Sequence, residues 1–119
     1  MPRIVHFEIP AKDPQKLIEF YTNAFGWKIE QWSNENYYLA STGEKDEKGI
    51  DGAIYLIDWM SSIVNTISVD NMDESIKRIE DFGGKIINEP QIIPNVGKHV
   101  YFKDPEGTIF GMLESNLDQ

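Results

Sequence analysis

Phe25-Gly26-Trp27-Lys28-Ile29 recurs further along the chain as Phe82-Gly83-Gly84-Lys85-Ile86, with four of the five residues identical. Asp13 and Asp70 stand at the same spacing, each after an apolar, strand-like run. Both Phe-Gly copies close a helical pattern. Upstream of the first, Asp13 can accept a hydrogen bond from the open N–H groups of a first turn, and Pro14 suits the first helical position. Leu17, Tyr21, Ala24 and Phe25 then fall on one face of a 3.6-residue period. Gly26 can take the left-handed conformation that ends a helix. The second copy reads the same way: Asp70 or Asn71 caps, Met72, Ile76, Ile79 and Phe82 form the apolar stripe, and Gly83-Gly84 stops it.

Strand-like runs surround the two helices. The first half has them at 4–9, 27–32, 37–41 and 53–57, the second at 64–69, 85–93, 99–103 and 109–114. Each half therefore reads βαβββ, and the fold class is α+β. Residues 42–51 form a charged, glycine-containing loop, and Asp104-Pro105-Glu106-Gly107 suits a type I turn. Module 1 is expected over 1–57, a linker over 58–63 and module 2 over 64–119. Trp59 and Met60 are too apolar for an idle linker, which predicts their burial beneath the sheet or at a dimer contact. Neither half can bury a sheet face alone. Two such modules, edge to edge, predict an eight-stranded open cup with helices outside and a cavity within.

Composition narrows the function. The 119 residues are 40% hydrophobic and 12% aromatic, enough for one packed domain. The net charge of −9, from 20 acids against 11 bases, argues against nucleic acid, whose phosphates need a basic surface. No window approaches a membrane span, and the first residues lack a secretory apolar stretch, so a cytoplasmic protein is expected. With no cysteine, disulfides, thiolate nucleophiles and cysteine-based zinc sites are excluded.

His6-Phe7-Glu8-Ile9 with Asp13 after it, Phe20-Tyr21 and Phe25-Gly26-Trp27 together resemble the opening of the vicinal-oxygen-chelate superfamily of glyoxalases, bleomycin-resistance proteins and dioxygenases. Tyr101-Phe102-Lys103-Asp104-Pro105-Glu106-Gly107 is similar to that superfamily's last hairpin, and Phe110-Gly111 resembles its glyoxalase-related branch. The resemblance spans essentially the whole chain. It implies the cup fold, a homodimer, and one divalent ion held by one ligand from each of four strands. Carried over singly, those positions fall on His6, on Tyr55 give or take a residue, on Val64 and on Gly111. Val64 and Gly111 offer no donor atom.

Strand alternation sets His6 and Glu8 on one face, as a ligand-orienting or general-base pair, or as a seam pair bonded to each other or to water. If Val100 and Phe102 pack against the helices, His99, Tyr101 and Lys103 turn inward. Tyr55 and Tyr101 can stack on a flat ligand, and Thr66 and Ser68 are small polar groups that widen the cup. Glu114, three residues past Gly111, points to the other face. The resulting expectation is a glyoxalase-like protein binding a small molecule in a metal-free pocket of His6, Glu8, Tyr55, His99 and Tyr101, with no cofactor. One alternative is a metal-dependent lyase, isomerase or dioxygenase with an atypical ligand set such as His6, Glu8 and His99. Another is an interaction module with a vestigial cup and with Trp59 and Met60 at a partner surface.

Overall fold

The computed structural model describes residues 2–32 and 36–115. In chain order the elements are β1 (Arg3–Ala11), α1 (Pro14–Phe25), β2 (Lys28–Gln31), β3 (Tyr37–Ser41), β4 (Gly52–Leu56), β5 (Val64–Ser68), α2 (Met72–Asp81), β6 (Lys85–Ile86), β7 (Gln91–Ile93), β8 (Gly97–Lys103) and β9 (Ile109–Ser115). The chain is α+β, as its repeat implies. It divides into two units, one of His6–Val64 and one of Asn65–Gln119 with Met1–Val5. The 58–63 segment groups with the first of them.

In the first unit the strand order is β2-β3-β4-β1. The hairpin pairs are antiparallel, whereas β4 runs parallel to β1 with Glu8 opposite Ala53 and Pro10 opposite Tyr55. A parallel pair needs a long crossover, supplied here by α1 and the β2–β3 hairpin. Asp13 Oδ1 accepts from Lys16 N–H at the start of α1, and Gly26 closes it at φ 73°. Leu17, Ile18 and Tyr21 of the helix pack on buried Ile9, Ala11 and Ile54. Truncating the fully enclosed Ile54 to Ala would cost about 2–5 kcal/mol. Because Phe7, Ile9 and Ala11 face the helix, alternation turns His6 and Glu8 to the opposite face.

The second unit repeats the plan as β5-β9-β8-β6, with β7 also paired to β8. Here β5 runs parallel to β9, with Thr66 opposite Gly111, and β8 is antiparallel to β9, with Tyr101 opposite Gly111. Met72, Ile76 and Ile79 of α2 pack with Val69, Val100, Phe102 and Met112. Asn71 is the N-cap, its Oδ1 accepting from Glu74 N–H at 3.0 Å. The Asp104 turn forms as read, with Gly107 N–H donating to Asp104 O at 2.9 Å.

Several expectations are corrected. The run 85–93 is two strands, because Pro90 has no N–H to continue the ladder and Asn88 Oδ1 accepts from Tyr101 N–H instead. The phenylalanines of the repeat are not core residues: Phe25 is 66% exposed and Phe82 76%. Each sits where the chain turns out of its helix. Phe25 rests against Tyr21 and Trp27, and Phe82 lies under the Arg78 guanidinium. Of the pair expected to be buried, Met60 is, and so is not displayed to a partner, whereas Trp59 is half exposed.

Candidate functional site

Of the five expected site residues, His6, Glu8 and Tyr55 belong to the first unit and His99 and Tyr101 to the second. In the first, His6 and Glu8 lie on the helix-free face of β1 and meet through a residue the sequence reading missed, Tyr37 on β3. Its hydroxyl lies 2.7 Å from His6 Nε2 and donates to Glu8 Oε2 at 2.7 Å. A phenol has one hydrogen, so with that hydrogen on Glu8 its oxygen accepts from His6 Nε2–H. The order of donation is His6 to Tyr37 to Glu8, and Nδ1 is the basic nitrogen of the neutral ring.

Tyr37 reaches Glu8 across β4, where buried Ala53 presents only a methyl group between the outer strands. Tyr55, paired with Tyr37 in register, sets its ring edge-on at 4.9 Å. Glu8 is buried at 5% exposure, where a carboxylate needs donors. Burial pushes the His6 imidazole below its ordinary 6.5, and the Asp51 carboxylate offsets part of that fall.

In the second unit, His99 and Tyr101 lie on the face of β8 away from α2, their rings edge-to-face at 4.5 Å. Beside them in the same row are Gly111 and Thr66, the latter buried at 2%. A Cβ at position 111 would stand 2.8 Å from His99 Nε2 and 3.0 Å from Thr66 Oγ1. The imidazole therefore occupies the volume into which a side chain at 111 would project. Glu114 points the other way, as alternation requires, and accepts from Met72 N–H at 2.6 Å.

The metal positions carried by the resemblance do not fit an ion. His6 Nε2 is engaged with Tyr37, Val64 is a buried hydrocarbon, and Gly111 has only its backbone. Tyr55 is flanked by Ile54 and Leu56, so a one-residue shift finds no better donor. Among the described residues no three His, Asp or Glu side chains gather to hold a metal. Two hollows lie elsewhere. One of about 280 Å³ is open and lined by the β3–β4 loop, including Thr42, Lys45 and Lys48, and one of about 400 Å³ is lined by Lys12, Leu56, Ile57 and Asp58. Neither is lined by an expected site residue. Among the described residues no helix is long and apolar enough to cross a membrane.

Two βαβββ units, each with a parallel central pair and a polar helix-free face, define the glyoxalase class of fold. The chain belongs to the Glyoxalase/Bleomycin resistance protein/Dioxygenase superfamily, whose family model matches residues 3–112. It is similar to a probable lactoylglutathione lyase of Vibrio cholerae serotype O1, at 28% identity over 95% of this chain and 91% of that protein. It is 30% identical to the metallothiol transferase FosB of Lysinibacillus sphaericus, covering 97% of this chain and 86% of that one. Among solved structures, a hypothetical protein from Bacillus halodurans shares the fold with a TM-score of 0.67 at 14% identity, covering 94% of this chain and 93% of the other.

Proposed function

We propose that this chain is a glyoxalase-type protein that binds a small organic molecule without a metal, on the helix-free face bearing His6, Glu8, Tyr37 and Tyr55. One observation carries the reading. His6, the one imidazole at a position where the resemblance sets a metal ligand, is instead bonded through the Tyr37 hydroxyl to Glu8, which leaves a hydrogen-bonding group in place of a coordinating one. Relatives named as a probable lactoylglutathione lyase and a metallothiol transferase support a small-molecule ligand for this chain too. Such sites are mostly apolar walls with a few fixed polar groups. The Tyr55 ring supplies a wall, and the His6–Tyr37–Glu8 chain supplies an orienting group able to accept a proton at His6 Nδ1.

A thermal-shift screen of small organic acids, aldehydes and thioesters tests this. A ligand of the native state raises the unfolding temperature by mass action. The expected result is a hit weakened by Tyr55→Ala and by Glu8→Gln. A screen without hits, or hits indifferent to both substitutions, would overturn the reading.

The proposal includes a cytoplasmic homodimer. Strand β2 ends the strand order of its unit, and a second copy is the proposed cover for such an edge. A monomer mass by light scattering at micromolar concentration would contradict it.

A further inference from the structure

The two units match strand for strand. In the first, Glu8 on β1 and Tyr37 on β3 flank the central strand β4 beside the small residue Ala53; in the second, Thr66 on β5 and His99 on β8 flank β9 beside Gly111. The positions are equivalent in register: Tyr37 pairs with Tyr55, two residues beyond Ala53, and His99 pairs with Leu113, two beyond Gly111. The first pair has a long carboxylate and a long phenol, which meet at 2.7 Å. The second pair has shorter side chains. Thr66 Oγ1 is buried and has no hydrogen-bond partner, and it and His99 Nε2 converge on the bare backbone of Gly111.

A buried hydroxyl left without a partner is costly and calls for an explanation. We infer that Thr66, His99 and Gly111 form a seat for a carbonyl or carboxylate oxygen of a small molecule, with the Thr66 hydroxyl as donor and the imidazole as second partner. Glycine at 111 lets the oxygen approach the backbone, and Tyr101 braces the imidazole edge-on. The Thr66 oxygen is shut off from solvent. Entry of a ligand oxygen therefore requires the His99 ring to turn on its Cβ, a rotamer change of the kind common on binding. This deepens the small-molecule reading and rests on it, but it names a different set of residues and the group they hold.

The test uses the full chain and the Cε1–H signal of His99 in NMR. The chain has only two histidines, so His6→Gln identifies that signal. Pyruvate, which carries both oxygen types, is titrated first, and acetate and acetone then tell carboxylate from carbonyl. The expected result is a saturable shift of the His99 signal by pyruvate and by one of the two simpler probes. Thr66→Val should weaken it about tenfold, the loss of one hydrogen bond to a charged or strongly polar group. Thr66→Ser, which keeps the hydroxyl, should restore it. An unmoved His99 signal, or equal affinity in Thr66→Val, overturns the inference. If hits in the thermal-shift screen persist alongside such a result, only this seat fails; if they are absent too, the small-molecule reading fails with it.

Discussion

Tyr37 donates its hydroxyl hydrogen to Glu8 Oε2 at 2.7 Å, over a strand that lies between them. The contact joins the two outer strands of the β3-β4-β1 trio through side chains alone. Tyr37→Phe keeps the ring and removes the bond, leaving the buried carboxylate with one donor fewer. Stability should fall by about 1–3 kcal/mol, the range for stranding a buried polar group. Urea unfolding should show this as a lower midpoint with an unchanged slope, because the exposed area on unfolding is the same.

His6 makes stability depend on pH in a definite direction. Its imidazole titrates below 6.5 in the folded chain because burial disfavours the cation, with Asp51 acting the other way. Between the two values the unfolded chain binds more protons, so stability rises with pH. The contribution is fully present above 6.5 and is lost as pH falls through the folded value. His6→Gln should flatten that part of the profile. Asp51→Asn should move the His6 titration, followed by NMR, further down.

Glu114 works as a remote cap. Its Oε1 accepts from Met72 N–H at 2.6 Å, from the last strand onto the first turn of α2. Glu114→Ala should destabilise the chain by about 0.5–2 kcal/mol, the usual effect of losing a helix cap. Glu114→Gln retains an acceptor oxygen and should lose less. Thermal unfolding of both variants separates the cap from a general charge effect.

Much of the architecture was legible because local signals agreed with one another. Asp13-Pro14, Gly26, Asn71 and Gly83 each do in the structure what their chemistry suggests, and Gly26 and Gly83 have φ of 73° and 98°. The phenylalanine beside each glycine misled, since apolar character at a helix end does not reveal that the chain leaves the core there. The break at Pro90 could have been read from its missing N–H. Tyr37 could not be found by alternation or spacing. Its role depends on the register of three strands, which sets the small side chain of Ala53 between Tyr37 and Glu8, and one sequence does not display that register. The faces of His6, Glu8, His99 and Tyr101 followed from period-two alternation once Ile9, Val100 and Phe102 were set against helices.

The most direct test of the account is the metal content of the purified protein, with unfolding temperatures measured with and without added nickel, zinc, manganese and iron(II). A family fold whose first ligand position, His6, is bonded to Tyr37, and whose third and fourth hold Val64 and Gly111, should carry no stoichiometric metal. None of the four ions should raise the unfolding temperature. One equivalent of metal that is lost in His6→Ala would contradict the metal-free reading.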